Sequence, residues 1–192
     1  MQWQDLLVLI SVGLIITSGL WINIQKSEDK SEIAPDNQQD GGSLRLFRVL
    51  VPLSILLSTL LYFLRWPINF GQTEMLIIGF TFVGLGLLLR WWAVRHLGQA
   101  FTVQLQVRSA QRLISDGPFR LVRHPSYSGL LLYYLGLGLV MGNPLSLLIL
   151  VILPAWAVLN RVSLEEKLLQ EHFGEAYRVY QTRTWRLLPW VY

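Results

Sequence analysis

Cysteine is absent from this 192-residue chain. Disulfides, thiolate metal sites and cysteine nucleophiles are therefore excluded. Charge is scarce as well: 15% of residues are Asp, Glu, Lys or Arg, where a soluble domain carries about 25%. Only three histidines occur, at 96, 124 and 172, and their spacing suggests no metal site. No Gly-x-Gly-x-x-Gly stands between a strand and a helix, because Gly84-Leu-Gly86 and Gly136-Leu-Gly138 fall inside apolar runs; no Rossmann domain is encoded. The chain also lacks a P-loop, a His-Glu-x-x-His, a nucleophilic triad, a nucleic-acid motif and an internal repeat. The N-terminus has no basic n-region, so the first apolar run reads as a retained span rather than a signal peptide.

What is there is hydrophobic. Apolar residues make up 53% of the chain, and eight Trp and seven Tyr suit anchoring at membrane interfaces. The net charge of +4 lies mostly beside the apolar runs, where contact with anionic headgroups explains it better than nucleic acid does. Five runs are long enough, or nearly so, to cross a hydrocarbon core of roughly 30 Å as helices: 6–24, 49–64, 75–89, 128–141 and 144–159. The third is expected to continue as helix through Arg90, Trp91, Trp92 and Arg95. Pro52 lies near the expected start of the second run, where it is tolerable. The stretch 26–43 is polar and acidic and reads as an exposed linker. The expectation is an all-α, multi-pass membrane protein with about five transmembrane helices. Residues 1–64 would form an N-terminal part, and 65–192 the functional core.

Gly142-Asn143-Pro144 is a compact turn signal. It makes the fourth and fifth runs a tight antiparallel hairpin and brings two polar clusters to one membrane face. By the positive-inside rule the Arg-rich stretch 90–123 faces the cytosol, which puts the N-terminus outside and a helical C-terminal segment inside. Glycines at 79, 84, 86, 129, 136, 138 and 142 would let helices approach closely.

The first cluster spans 117–127. In His124-Pro125 the proline removes a backbone donor and keeps residue 124 out of helical geometry, which would free backbone groups for a ligand. Ser126 could cap the helix that follows. The second cluster follows the last run. Arg161 and Glu165 are four apart and share a helix face, either as a plain ion pair or as readers of opposite charges on a ligand. Ser163 with Glu166 fits a capping box. Leu168, Leu169, His172, Phe173, Tyr177 and Tyr180 have helical spacing, while Trp185, Leu187, Leu188, Pro189 and Trp190 look like an interfacial anchor.

The ordered set of Gly117-Pro-Phe-Arg-Leu-Val-Arg-His-Pro-Ser-Tyr-Ser-Gly129, Asn143-Pro144, Arg161-x-x-x-Glu165-Glu166 and Phe173-Gly-Glu-Ala-Tyr177-x-x-Tyr180 resembles the isoprenylcysteine carboxyl methyltransferase family. That family belongs to a wider group of integral-membrane methyltransferases that includes phospholipid methyltransferases. The resemblance covers about residues 90–185. It implies an S-adenosylmethionine-dependent methyltransferase whose cofactor pocket opens to the cytosol. The acceptor would be a lipophilic or lipid-attached molecule, with carboxylate O-methylation the first choice and phospholipid amine N-methylation or a non-catalytic scaffold or carrier the alternatives. The resemblance puts cofactor contacts on Gln104, Gln111, Leu113, Ile114, Phe119, His124, Pro125, Ser126, Tyr127 and Glu165. Arg161 becomes the substrate-side arginine, and Arg161, Glu165 and Glu166 the catalytic candidates; no metal is implied. Gln111 and Phe119 depart from the His and Tyr usual in prenylcysteine enzymes.

Overall fold

The computed structural model describes residues 6, 8–10, 12–13, 42–64, 72–98 and 113–190. Among them the regular secondary structure is helical, with one isolated parallel β-bridge between Val122 and Trp185. From residue 42 onward, five helices are described: α1 (Ser43–Phe63), α2 (Gln72–Leu97), α3 (Pro125–Met141), α4 (Pro144–Phe173) and α5 (Glu175–Arg183), with a 3₁₀ turn at Gly117–Arg120 before α3. Among the described residues, three segments are long and apolar enough to cross a membrane: Ser43–Phe63, Glu74–Leu97 and Pro144–Phe173. The expected first span lies mostly outside the described residues, and α3 is apolar but has only 17 residues. At about 1.5 Å per residue, α3 falls a little short of the hydrocarbon thickness. Its length is fixed by Pro125 at one end and the turn at Gly142 at the other.

That turn is built as its residues require. Gly142 sits at φ 64, left-handed backbone that a side chain disfavours. The Asn143 side chain accepts the N–H groups of Leu145 at 2.9 Å and Ser146 at 3.2 Å, capping α4 ahead of Pro144. With two residues between the helices, α4 must fold back along α3.

Glycines set the distance between α2 and α3. Gly79 faces Gly136, and Gly86 faces Gly129; the spacing is seven residues on both helices, as an antiparallel pair requires. A methyl group added at Gly86 would lie 2.6 Å from the Gly129 carbonyl oxygen, and one at Gly79 would lie 2.8 Å from that of Gly136. Gly138 admits Leu147 of α4 in the same way, whereas Gly84 faces open space. Lipid offers no hydrophobic drive between helices, so this contact rests on backbones packed side by side.

Helix α1 packs along α4 through a reciprocal serine pair. Ser58 Oγ donates to the Ser146 carbonyl and Ser146 Oγ to the Ser58 carbonyl, both at 3.2 Å, and both residues are fully buried. Tyr133, Tyr134, Leu137, Leu150, Val158 and Val162 fill the core, and Val8 from the N-terminal helical residues reaches it.

Three sequence expectations change. The second span begins at Ser43 rather than Val49, so Ser43 is a buried helical residue and not part of an exposed linker, and Pro52 lies inside the helix rather than near its start. Ser163 and Glu166 do not start a helix: α4 runs through them, and Ser163 Oγ turns back to the Leu159 carbonyl at 2.8 Å. The helical spacing of the tail is interrupted at Gly174, with φ 53 and ψ −124, which separates α4 from α5.

Candidate functional site

Two clusters some forty residues apart in sequence meet where α3 begins. His124 precedes α3 with φ −126 and ψ 58, outside the helical region, as the following proline demands. Its imidazole is buried between two neighbours on α4: Nε2 lies 3.3 Å from Glu166 Oε1, and Nδ1 lies 4.0 Å from Glu165 Oε1. One turn into α3, the Tyr127 hydroxyl accepts a 2.9 Å hydrogen bond from Arg161 Nε. Glu165 is also within hydrogen-bonding reach of that hydroxyl. Arg161 is buried at 4% exposure and extends Nη1 to Ser43 Oγ of α1 at 3.4 Å. A buried guanidinium amid hydroxyls and a carboxylate is suited to gripping a second anion, because its planar fork matches two oxygens.

Glu165 and Glu166 have different surroundings. The Glu165 side chain keeps 31% of its surface accessible, against 11% for Glu166. Glu166 is enclosed by cations: Arg123 Nε donates to Oε1 at 2.8 Å, and Arg186 Nε stands 2.9 Å from Oε2 as an ion pair rather than an aligned hydrogen bond. Such a carboxylate is committed to structure, whereas Glu165 has a face open to a ligand.

The C-terminal segment closes the site from the side. The N–H of Arg123 donates to the Trp185 carbonyl at 2.7 Å, the N–H of His124 to the Arg186 carbonyl at 3.2 Å, and the N–H of Trp185 to the Leu121 carbonyl at 3.0 Å. Ser128 Oγ donates to the Leu187 carbonyl, and Arg123 Nη1 binds the carbonyls of Gln181 and Thr184 at the end of α5. Leu187, expected in a membrane anchor, is therefore buried at 3%, while Trp185, Leu188 and Trp190 remain exposed. The backbone of the His-Pro step is not left free for a ligand either. The His124 N–H is held by the strap that residues 184–187 of this segment form, and its carbonyl accepts the N–H groups of Tyr127 and Ser128, both at 3.0 Å. Ser126 does not cap α3; its hydroxyl meets Arg90 Nη1 at 3.2 Å.

Phe119 is buried in the 3₁₀ turn, its carbonyl accepting the Tyr180 hydroxyl at 2.6 Å and its ring stacked beside His96. Burial pushes the pKa of the Tyr180 phenol up, so it stays a donor. Gly117, at φ 55, lets this turn press on the His96 ring, where a methyl group would approach within 2.7 Å. His96 also bonds Asp116 at 3.0 Å and thereby holds that carboxyl below its usual range. Leu113 and Ile114 lead into the turn half-buried, and Gln104 and Gln111 lie outside the described residues.

The structure thus gathers His124, Pro125, Ser126, Tyr127, Arg161, Glu165 and Glu166 at one place, while Phe119 packs against His96 and Tyr180. Sequence reasoning missed Ser43, Arg90, Arg123, Tyr177 and Arg186. Arg90 Nε is buried with no hydrogen-bond partner among the described residues, and so is the Tyr177 hydroxyl, which lies in the field of Glu165 and Glu166. Arg90 at the end of an apolar run carried the signal, since a charged residue at membrane depth points to a site.

Comparison with known proteins gives a consistent picture. A family model described as phospholipid methyltransferase matches residues 75–176. Protein-S-isoprenylcysteine O-methyltransferase B of Arabidopsis thaliana is 30% identical over 128 residues, 66% of this chain and 61% of that protein. The protein-S-isoprenylcysteine O-methyltransferase of Schizosaccharomyces pombe is 33% identical over 134 residues, 67% of this chain and 56% of its own length. This chain therefore spans about three fifths of the curated relatives it matches. The solved structure of the eukaryotic intramembrane Ras methyltransferase, an isoprenylcysteine carboxyl methyltransferase, superposes with a TM-score of 0.58 at 24% identity, over 83% of this chain and 55% of that one. That likeness speaks for the fold.

Proposed function

Because the chain belongs to the phospholipid methyltransferase family, and its relatives are isoprenylcysteine O-methyltransferases, we propose that it is an integral-membrane methyltransferase that esterifies the carboxylate of a lipid-attached acceptor. The observation that carries the reading is the convergence of Tyr127 with Arg161 at 2.9 Å and of His124 with Glu165 at 4.0 Å. One side of this site offers a cation for an acceptor carboxylate, and the other offers a carboxylate for an amine.

The methyl donor implied by the family is S-adenosylmethionine, and the residues present fit it. A partly open carboxylate, Glu165, suits its ammonium group, and the buried Tyr177 hydroxyl, without a hydrogen-bond partner among the described residues, lies in the field of Glu165. When bound, the donor supplies an electrophilic methyl group on a sulfonium. Leu113, Ile114, Phe119, His124, Pro125, Ser126, Tyr127 and Glu165 are assigned to the donor side of the site. Arg161 lies on the acceptor side. Its buried guanidinium orients the acceptor carboxylate so that one oxygen faces the methyl group, and the Tyr127 hydroxyl fixes Arg161 in turn. The enclosed setting keeps water from competing.

A carboxylate acceptor requires no general base, which agrees with Glu166 being occupied by Arg123 and Arg186. An amine acceptor would need a proton acceptor, and among the glutamates here only Glu165 has an open face. The positive-inside reading puts the site on the cytosolic face, with the N-terminus outside and the acceptor's lipid chain in the bilayer. The part built from 65–192 then carries the chemistry, and Ser43 adds to it from α1.

The test is a split between affinity and turnover. Glu165→Gln should weaken S-adenosylhomocysteine binding about tenfold, the loss of one charge-assisted contact. Arg161→Ala should abolish turnover while leaving that affinity within a few-fold. Equal loss of both in either variant, or no saturable binding by the wild type, would overturn the assignment.

A further inference from the structure

Arg186 holds His124 by two routes at once. Its carbonyl accepts the His124 N–H at 3.2 Å. Its guanidinium Nε stands 2.9 Å from Glu166 Oε2, and the other oxygen of the same carboxylate lies 3.3 Å from His124 Nε2. The path Arg186 carbonyl, His124 backbone, His124 ring, Glu166, Arg186 guanidinium is a closed ring of contacts. Arg186 Nη2 also donates to Ser163 Oγ at 3.2 Å, three residues before Glu166 on the same helix, so the guanidinium is seated against α4 and does not swing with the exposed tail.

Arg123 makes a different set of contacts. Its Nε shares Glu166 Oε1 with His124, while its Nη1 holds the carbonyls at the end of α5. Glu166 Oε1 thus serves two donors, and Oε2 is left to Arg186. Removing Arg186 would leave Oε2 without its cation and release the His124 N–H only if the strap moved as well. Removing the guanidinium alone leaves the strap's backbone bonds in place and cuts the route through Glu166, together with the contact to Ser163.

We propose that Arg186 is a positioning residue for the donor side of the site: acting through Glu166, it fixes the His124 ring so that its other face meets Glu165. This inference rests on the methyltransferase reading. The consequence is that Glu165, with a third of its side-chain surface open, faces a ring whose place is set by a residue 21 positions away that does not touch the ligand. A residue acting this way should change donor affinity and leave the turnover at saturation nearly unaltered.

The test is a double-mutant cycle on the full-length protein in nanodiscs, reading the Kd for S-adenosylhomocysteine and the kcat at saturating donor. R186A should raise Kd about tenfold, a typical size for the loss of a coupled contact, with kcat within twofold. E166Q should raise it by a similar factor, and R186A/E166Q by little more than either alone. R186K, which keeps the charge, should recover most of the affinity. R183A, exposed at the end of α5, is the control and should bind as the wild type does. Additive effects of R186A and E166Q would overturn the proposal, as would an R186K as poor as R186A or a kcat that falls in parallel with affinity. The ligand-free protein provides a second readout. The ¹⁵N resonances of the His124 ring, one of three histidines in the chain, should move in R186A and E166Q and stay fixed in R183A. If the wild type binds no S-adenosylhomocysteine, the methyltransferase reading fails, and the ring resonances still decide whether Arg186 positions His124; an unmoved resonance in R186A refutes it.

Discussion

Two glycines on α2, two residues apart, should respond to the same substitution with opposite signs. At Gly86 a methyl group would stand 2.6 Å from the Gly129 carbonyl oxygen and 2.6 Å from the Tyr133 amide nitrogen. Both are backbone atoms of α3, so relief requires that the helices separate. Overpacking of this kind costs about 1–3 kcal/mol. The gain in helix propensity from Gly to Ala offsets about 1 kcal/mol of it. A net loss of about 1 kcal/mol would lower the Tm by roughly 2–4 °C for a chain of this size. At Gly84 nothing lies within 4 Å, so only the propensity term remains and the Tm should hold or rise. The assay is thermal unfolding of Gly84→Ala and Gly86→Ala in the same detergent, followed by the fluorescence of the protein's tryptophans. Because Gly86 also packs beside the start of α3, Gly86→Ala should raise the Kd for S-adenosylhomocysteine, and Gly84→Ala should not. Equal Tm values for the two variants would refute the glycine-to-glycine packing of α2 on α3.

Asn143→Ala removes the acceptor for two amides at the start of α4 and should cost about 1 kcal/mol, read as a lower Tm, with Asn143→Asp largely preserving stability. Glu166→Ala leaves Arg123 and Arg186 facing a buried space without their shared anion. About 3–5 kcal/mol of destabilisation is expected, against a milder loss in Glu166→Gln, and yield of folded protein with a Tm measurement separates the two. Ser58→Ala leaves the buried Ser146 hydroxyl bonded to a backbone carbonyl that survives, so it should cost only about 1 kcal/mol.

Much of the architecture was legible in the sequence because its determinants are local. Gly142-Asn143-Pro144 specifies left-handed backbone, a cap and a helix start in three consecutive residues, and the hairpin follows. The His-Pro step and the Arg161, Glu165, Glu166 group stand out as polar residues beside apolar runs, and once the hairpin is drawn they must face one another. What could not be read depends on contacts between distant segments. Ser43 looks like the last residue of a polar linker, yet it opens α1 and lies beneath Arg161. Ser163 and Glu166 have the spacing of a capping box, but the helix that reaches them from Pro144 leaves no end to cap. Leu187 shares a sequence pattern with Trp185 and Leu188, and only the pairing of 184–187 with 121–124 turns it inward. The roles of Arg123 and Arg186 follow from that pairing too. Arg123 falls in the 117–127 cluster but shares it with Arg120, Arg186 lies in an apolar tail, and nothing local pairs the two around Glu166.

The central claim is that the site transfers a methyl group to a carboxylate held by Arg161. It is tested most directly by incubating the protein in nanodiscs with methyl-labelled S-adenosylmethionine. An S-prenylated cysteine with a free carboxylate would be the acceptor in one reaction and phosphatidylethanolamine in the other. A methyl ester releases its label as volatile methanol in alkali, whereas a methylated amine retains it. The account predicts alkali-labile product from the prenylcysteine, none in Arg161→Ala, and none from the lipid amine. Alkali-stable label on the lipid, or ester formation undiminished in Arg161→Ala, would contradict it.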